Sequence, residues 1–258
     1  LMSRRLSETM NKTMKTAALV LAGLLLAAPA VQAEEEVQTL EFSPSSNPAA
    51  LQRGARDFMA YCSGCHSLKY LRYNRLGADL GISEDLLKQN LIFNGAKVGE
   101  PITTALPAQA EQWFGRVPPD LTLETKARGA EWVYSYLMGF YLDGSRPMGV
   151  NNLFLPGVSM PAVLGELQGW QVKEEGKGEH GEGLPLKLAV PGSMTPEEYK
   201  AFVSDLTSFM AYAAEPVASD RVSTGIKVMF YLIFLLTPLT WFLKKEFWRD
   251  VHKDEEHH

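Results

Sequence analysis

Apolar residues recur at helical spacing in several stretches of the chain. The first stretch follows the sequence Ser-Ser-Asn-Pro at residues 45–48, which is typical of a helix start. It then places Leu51, Ala55 and Phe58 on one face. This pattern predicts a helix that continues to Tyr61 and leads directly into a short sequence with two cysteines.

Three further helices are predicted downstream. Ser83 is a candidate cap for a short helix around residues 86–93, and a longer apolar stripe predicts a helix over residues 129–141. The sequence Thr-Pro-Glu-Glu at residues 195–198 begins a long helix that Pro216 ends. Helices therefore dominate the prediction.

The least regular part of the chain is residues 142–194. This interval contains many Gly and Pro residues and has no clear hydrophobic period. We expect it to be loop that wraps another group instead of forming a core of its own. The predicted fold class is therefore mainly α, with long loops.

The N-terminal segment has the three parts of a secretory signal. Lys12 and Lys15 precede an apolar stretch over residues 17–30, and Val-Gln-Ala at residues 31–33 is a suitable cleavage site. A non-cleaved anchor is the alternative, but this stretch is shorter than the ~20 residues that a spanning helix needs. We therefore interpret residues 1–33 as a signal peptide.

A second apolar segment, residues 228–243, contains no charge. As a helix its length is ~24 Å, and Trp241 and Trp248 suit a membrane interface. Pro238 would disfavour a soluble helix interior but is tolerated in membranes when neighbouring helices compensate for the lost hydrogen bond. A buried core helix is the alternative; we interpret residues 224–243 as a transmembrane anchor.

Three basic residues follow this anchor and predict its orientation. Lys244, Lys245 and Arg249 place the tail, residues 244–258, in the cytoplasm by the positive-inside rule. Residues 34–223 then lie outside. Together with the signal peptide, this predicts a single-pass protein of the inner (cytoplasmic) membrane with a periplasmic domain.

The charge of the 258-residue chain is unevenly distributed. The net formal charge is −5, to which residues 1–33 contribute +3, residues 34–223 contribute −8 and residues 224–258 contribute 0. An acidic domain favours a basic soluble partner over nucleic acid. Acidic surfaces also simply keep proteins soluble, so charge alone leaves both interpretations open.

The two cysteines of the chain lie in the sequence Cys-Ser-Gly-Cys-His at residues 62–66. Cys62 and Cys65 can add to the two vinyl groups of one haem, which leaves His66 as the proximal ligand of the iron. A thioredoxin-like pair would need a strand–helix context, and a zinc site would need two more ligands. Neither context is evident, so the sequence predicts one covalently attached haem c.

Such a haem needs either a sixth ligand or an open face. Methionine is typical of electron carriers, and Met160 lies on a loop stiffened by Pro156 and Pro161. Met148, after Pro147, is the second candidate. The remaining methionines of the exported domain after the haem motif are better explained as core residues or as part of a helix cap: Met138, Met194 and Met210.

Short motifs follow one another in a fixed order along the chain: Cys-Ser-Gly-Cys-His-Ser at 62–67, Pro-Pro-Asp-Leu at 118–121, Ala-Arg-Gly at 127–129, Phe-Leu-Pro-Gly at 154–157, Met-Pro at 160–161 and Ala-Glu-Pro at 214–216. This order resembles the cytochrome c1 family of the quinol–cytochrome c oxidoreductase, the bc1 complex. The resemblance covers nearly the whole mature chain.

The resemblance implies a fold and a set of roles. The fold is a class I cytochrome c domain in which the first and last soluble helices cross beside the haem, followed by one C-terminal transmembrane helix. Met160 would be the axial ligand, Arg128 would approach a haem propionate, and Pro118 and Pro119 would line the haem edge. Residues 111–116 depart from the mitochondrial members, which suggests a bacterial version.

The same resemblance implies partners. The chain would take electrons from the Rieske iron–sulfur protein and pass them to a soluble c-type cytochrome, beside a cytochrome b subunit in a dimeric complex, with no bond chemistry of its own. Two alternatives remain open. One is the c-type subunit of another membrane oxidoreductase, and the other is a haem enzyme or sensor with an open sixth site.

Overall fold

The computed structural model describes residues 38–107, 109–174 and 184–249 of the chain. The interpretation of residues 1–33 as a signal peptide lies outside the described residues, as does the end of the tail, residues 250–258.

Helices and three short sheets make up the described part of the chain. Each sheet has two antiparallel strands, in the pairs β1–β2, β3–β4 and β5–β6. In chain order the elements are α1 (Pro48–Tyr61), β1 (Leu68–Arg72), α2 (Tyr73–Leu80), α3 (Glu84–Asn90), β2 (Pro101–Ile102), α4 (Ala110–Phe114), α5 (Glu124–Ala127), α6 (Ala130–Met138), β3 (Phe140–Leu142), β4 (Val150–Asn152), α7 (Gly165–Gln168), β5 (Gly169–Lys173), β6 (Leu186–Pro191), α8 (Pro196–Ala214), α9 (Ala218–Tyr231), a π-helical segment (Leu232–Leu236) and α10 (Thr237–Phe247).

Side-chain caps fix the starts of the two main helices of the domain. At α1, the side chain of Asn47 accepts a hydrogen bond of 2.9 Å from the backbone N–H of Ala49, with Pro48 in the first turn. At α8, Thr195 and Glu198 form a reciprocal capping box. Both starts were predicted from sequence, and both predictions are confirmed.

The α1–α8 pair is the centre of the main core. These helices make the most extensive packing contact of any two elements in the described residues. Gly54 allows the close approach, because a Cβ atom at this position would lie 2.1 Å from the carbonyl oxygen of Asp205. Phe58 and Phe209, both fully buried, pack with ring centroids 5.8 Å apart. The predicted pairing of the first and last soluble helices is therefore present.

Two helices end earlier than the sequence analysis predicted. The helix predicted over residues 129–141 ends at Met138, because the next residues form β3 and pair with β4 in the register Phe140 to Asn152. The helix predicted around residues 86–93 ends at Asn90.

The prediction that residues 142–194 are loop was wrong in part, although residues 153–164 are irregular as predicted. This interval contains β4, α7, β5 and β6. The strand β4 has only three residues, too few for a hydrophobic period to be visible. Phe140, Val150 and Val158 form the centre of a second, smaller apolar cluster. Val150 and Val158 therefore take part in a core together with Phe140, which lies outside the interval, contrary to our expectation.

A continuous helix from Ala218 to Phe247 follows the domain. Residues Asp220–Phe247 are long and apolar enough to span a membrane, with a mean hydropathy of 1.9 over the most apolar window. The predicted anchor, residues 224–243, lies inside this helix, which begins earlier than predicted. Its apolar side chains are exposed in the described structure, as expected for a segment that lipid or another membrane helix covers.

The helix adapts locally to Pro238, which has no N–H to donate. The preceding turn is π-helical, and two threonine hydroxyls donate to backbone carbonyls in this region. Thr237 donates to the carbonyl of Leu232 at 2.9 Å, and Thr240 donates to the carbonyl of Leu236 at 2.7 Å. These side-chain bonds add to the backbone hydrogen bonds around the proline, since the Leu232 carbonyl also accepts from the backbone N–H of Thr237.

Candidate functional site

The cysteine motif forms a tight turn at the C-terminal end of α1. The N–H of Cys62 donates to the carbonyl of Phe58. Cys65 and His66 both donate backbone hydrogen bonds to the carbonyl of Cys62, at 3.0 and 2.9 Å. The turn therefore holds two thiols and an imidazole within one short, rigid segment.

Both cysteines are free thiols and both are half-buried. Burial raises the pKa of the Cys62 thiol to about 12, and the nearby Asp57 and Cys65 act in the same direction. Cys62 is therefore neutral at pH 7. A disulfide oxidoreductase needs a thiolate with a lowered pKa, so the environment of Cys62 disfavours a thioredoxin-like role.

The imidazole of His66 is oriented by the backbone of Pro119. The distance from His66 Nδ1 to the Pro119 carbonyl oxygen is 2.8 Å. A carbonyl oxygen can only accept, so Nδ1 carries the proton and Nε2 keeps a free lone pair. Burial lowers the pKa of His66, although the Pro119 carbonyl and the carboxylates of Glu124 and Asp120 oppose this effect. A neutral ring with this tautomer suits a metal ligand.

Hydrogen bonds connect residues 118–122 to the residues that directly follow the cysteine motif. The backbone N–H of Leu121 donates to the carbonyl of Ser67 at 2.9 Å, and the carboxylate of Asp120 accepts from the N–H of Lys69 at 2.9 Å. Pro118 and Pro119 immediately precede these contacts. These contacts hold Pro119 beside His66, and the place of Pro118 and Pro119 at a haem edge stays a prediction.

A second segment holds the motif through Thr104. Its hydroxyl donates to the carbonyl of Gly64 at 2.7 Å, and its backbone N–H donates to the hydroxyl of Ser67 at 2.9 Å. The sequence analysis did not identify Thr104, because a threonine 38 residues from His66 has no motif around it.

Two asparagines shape the loop that carries Met160. Buried Asn152 donates from its amide to the carbonyl of Tyr136 at 2.8 Å and accepts from the N–H of Phe154 at 2.9 Å. The side chain of Asn151 accepts from the N–H of Gly157 at 2.8 Å. Gly157 has a φ of +77°, which favours glycine. The loop is thereby tied to the C-terminal end of α6.

The sulfur of Met160 faces an aromatic hydroxyl. Tyr136 donates to Met160 Sδ at an O–S distance of 3.4 Å. Burial raises the pKa of Tyr136, so its hydroxyl keeps its proton at neutral pH. Met148 packs against the same small apolar cluster, but within the described residues its sulfur accepts no hydrogen bond. Both candidate methionines thus lie in one region, and only Met160 has a polar partner there.

Arg128 lies at the start of a row of side chains spaced four residues apart. Its guanidinium carbon is 4.3 Å from the ring centroid of Trp132, and its Nε donates to Glu124 at 2.6 Å. The Trp132 and Tyr136 rings stack with centroids 5.2 Å apart, and Phe140 packs against Tyr136 edge-on. We call Trp132, Tyr136 and Phe140 the aromatic row; their spacing was visible in the sequence, but they were interpreted only as helix core.

The donor set fits a covalently attached haem. Two free thiols, an imidazole with a free Nε2 and a thioether in apolar surroundings are the groups that such a cofactor requires. Within residues 38–107, 109–174 and 184–249, no group of three or more His, Cys, Asp or Glu side chains is placed to hold a metal ion. The zinc alternative therefore has no support in this part of the chain.

Comparison with known proteins gives a consistent result. The model of the Cytochrome C1 family matches residues 41–173 and 193–251. This chain belongs to the cytochrome c1 family. It is 49% identical over 242 residues to cytochrome c1 of Allochromatium vinosum, an alignment that covers 91% of this chain and 99% of that protein.

Two further members of this group of relatives are informative. Cytochrome c1 of Rhodospirillum rubrum is 30% identical over 285 residues, with 91% of this chain and 97% of that protein covered. A protein of Nitrosomonas europaea named ammonia monooxygenase gamma subunit is 45% identical over 237 residues, with 91% and 97% covered. Membership confirms the predicted family and fold class: a haem-bearing cytochrome c1 involved in electron transport, with one C-terminal helix suited to a membrane anchor.

Proposed function

We propose that this protein is the cytochrome c1 subunit of a bc1 complex, a membrane-anchored carrier that takes electrons from the Rieske iron–sulfur protein and passes them to a soluble c-type cytochrome. The observation that carries the proposal is the turn at residues 62–66, in which Pro119 fixes His66 so that Nε2 is free to bind a metal. Family membership supplies the class of cofactor.

Each site residue has a proposed role. Cys62 and Cys65 would hold one haem c through thioether bonds, and His66 and Met160 would supply the protein ligands of its iron. Bound in this way, a haem c supplies reversible one-electron chemistry, and histidine–methionine ligation raises its potential. The protein itself performs no bond chemistry on a substrate.

Three residues complete the proposed site. Arg128 has Nε engaged by Glu124, which leaves its two terminal nitrogens to pair with a haem propionate. Pro118 and Pro119 line the exposed edge, where an electron leaves or enters. The half-exposed position of the Arg128 side chain, 44% of its surface, supports a contact at the rim of the site.

The proposed location is the inner membrane, with the haem domain in the periplasm and the C-terminus in the cytoplasm. The basic residues Lys244 and Lys245 at the end of α10 support this orientation. The exposed apolar side chains of the Asp220–Phe247 helix support packing against another membrane helix, which we assign to cytochrome b. By family resemblance the whole complex is dimeric.

One relative favours a second candidate function. The protein from Nitrosomonas europaea is named as the gamma subunit of ammonia monooxygenase, an oxidoreductase other than the bc1 complex. The same haem domain would then serve as the c-type subunit of that kind of enzyme.

Copurification separates these two functions. The full chain, tagged at its C-terminus and extracted in mild detergent, is expected to bring down a b-type cytochrome and a Rieske protein with quinol–cytochrome c reductase activity. Untagged membranes serve as the control. Recovery of monooxygenase subunits in place of these proteins would favour the second candidate. A chain that carries haem but brings down neither set would contradict the bc1 proposal.

A further inference from the structure

The hydroxyl of Tyr136 makes a polar contact that the electron-carrier function does not by itself require. It donates to Met160 Sδ at 3.4 Å, across 24 residues of sequence. A thioether is a weak acceptor, and a partly buried phenol would more commonly donate to a carbonyl or to water. The contact therefore needs a structural or functional explanation.

The packing around Tyr136 fixes the direction in which this hydroxyl points. The ring stacks on Trp132 with an interplanar angle of 13°, and it packs edge-on against Phe140 with an interplanar angle of 71°. The backbone carbonyl of Tyr136 accepts from the amide of Asn152, which also holds the start of the Met160 loop. Donor and acceptor are thus positioned by one common network.

A thioether sulfur has two lone pairs, and it can give one to a metal while the other accepts a hydrogen bond. The hydrogen bond fixes which lone pair is left for the metal. It also withdraws electron density from the sulfur, so the sulfur donates less to iron. A weaker donor destabilises the ferric state more than the ferrous state, because the ferric ion has the higher charge.

We propose that Tyr136 is a positioning residue for Met160: its hydroxyl orients the sulfur toward the iron and shifts the equilibrium toward the reduced protein. This inference rests on the proposed function, in which Met160 is the sixth ligand. It assigns a role to the central member of the aromatic row, and it predicts that the hydroxyl, not the ring, sets the redox equilibrium.

The test compares Tyr136→Phe with Tyr134→Phe in the full, haem-loaded chain. Both substitutions remove one hydroxyl from α6. However, Tyr134 stacks on Phe42 with ring centroids 4.7 Å apart and, among the described residues, makes no hydrogen bond to Met160. Tyr136→Phe should retain covalent haem and the thioether-to-iron charge-transfer band of the oxidised form. Its equilibrium constant for reduction should fall roughly two- to ten-fold, the range for one net hydrogen bond. Tyr134→Phe should leave that constant unchanged.

A tyrosine analogue with a more acidic phenol, placed at position 136, provides a test in the opposite direction. A fluorinated tyrosine is a stronger donor at nearly the same size, so it should raise the equilibrium constant for reduction. This variant keeps the proposal testable if Tyr136→Phe fails to fold or to acquire covalent haem. Equal reduction equilibria in wild type, the analogue and Tyr136→Phe would overturn the proposal.

Met160→Leu separates the failure of this inference from the failure of the ligand assignment. If Met160→Leu loses the charge-transfer band while Tyr136→Phe matches the wild type, only the role of Tyr136 is wrong. If Met160→Leu keeps the band, Met160 is not the ligand and the proposed role of Tyr136 is overturned with it. Copurification of the complex does not depend on either result, so the proposed function is tested independently.

Discussion

At the scale of single residues, the site depends on atoms that hold its ligands in orientation. The Pro119 carbonyl selects the tautomer of His66, and the contacts of Asp120 and Leu121 fix the backbone that carries this carbonyl. In a similar way, the side chain of Asn152 holds the Met160 loop in place through its hydrogen bond to the Tyr136 carbonyl. Substitutions in these supporting segments should therefore disturb the site without removing a ligand.

The assignment of the sixth ligand is tested by comparing Met160→Leu with Met148→Leu. Both methionines pack on the same small apolar cluster, so a leucine should be accommodated at either position. Met160→Leu should keep its haem, because Cys62, Cys65 and His66 are untouched. Its potential should fall by on the order of 0.1 V, within the ~0.8 V range that axial ligands span, and the reduced protein should bind carbon monoxide.

Met148→Leu is the matched control for this prediction and should keep a near-native potential and exclude carbon monoxide. The reverse pattern, with Met148→Leu showing the losses, would mean that the family alignment is shifted at this loop. Redox titration and the spectrum of the reduced protein under carbon monoxide provide both measurements.

At the scale of elements, the contact between α1 and α8 depends on one small residue. A methyl group at position 54 would lie 2.1 Å from the carbonyl oxygen of Asp205 and 2.7 Å from the Cβ of Phe209. Gly54→Ala must therefore push the helices apart. We expect a loss of about 1–3 kcal/mol in the free energy of unfolding, the usual cost of overpacking.

The control for Gly54→Ala is Gly99→Ala, because a Cβ at position 99 meets nothing within 4 Å. Urea unfolding of the haem-loaded chain in detergent, followed by haem absorbance, gives the two midpoints. Since α1 ends at the haem motif, Gly54→Ala should also lower the yield of covalent haem. A Gly54→Ala midpoint equal to that of the wild type would show that the helices can separate without cost.

Elements with strong local signals were predictable, and contacts between distant segments were not. Helix α8 was predicted because Thr195 and Glu198 form a capping box that the sequence displays directly. Strands β3 and β4 were missed because their three-residue lengths carry no period. The polar pair Asn151 and Asn152 looked like a loop, although their side chains organise the loop that carries Met160.

The haem motif was predictable because its ligands are neighbours in sequence, whereas the supporting contacts are not. His66 and Pro119 are 53 residues apart, and Tyr136 and Met160 are 24 apart. Only tertiary packing brings these pairs together. The resemblance pointed to the Pro118 and Pro119 segment, but it did not indicate that a backbone carbonyl was the functional group.

The strand β6 lies in residues 174–192, which the family model leaves unmatched.

At the scale of the whole molecule, the haem domain and the membrane helix have separate functions. The Asp220–Phe247 helix contributes no side chain to the buried cores, and the site residues all precede it. Truncation before Val228 should therefore release a soluble domain that still carries haem. Fractionation of periplasm and membranes, with haem staining, measures the distribution of the truncated chain.

The full chain is the control for the truncation and should remain in the membrane fraction. A truncated chain that still pelleted with membranes after a salt wash would contradict the prediction. It would indicate that the domain itself has a strong contact with another membrane subunit.

Long-range electrostatics provide the remaining prediction for the whole molecule. The −8 charge of residues 34–223 should attract a basic soluble cytochrome before the two proteins touch. The Debye length falls from ~30 Å at 0.01 M to ~10 Å at 0.1 M ionic strength, so the second-order rate of electron transfer should fall steeply over this range. Stopped-flow mixing at several salt concentrations measures the slope.

One pair of acidic residues should contribute to this salt dependence of the rate, and a second pair serves as its matched control. Glu174 and Glu175 belong to the acidic domain, whereas Glu255 and Glu256 lie in the tail beyond the 28-residue helix, which is ~42 Å long at 1.5 Å per residue. Changing the first pair to Gln should make the salt dependence shallower. The same change in the second pair should leave it unaltered, because ~42 Å exceeds the Debye length throughout this salt range. A rate that does not change between low and moderate salt would exclude steering, and electron transfer would then depend on short-range contacts at the haem edge alone.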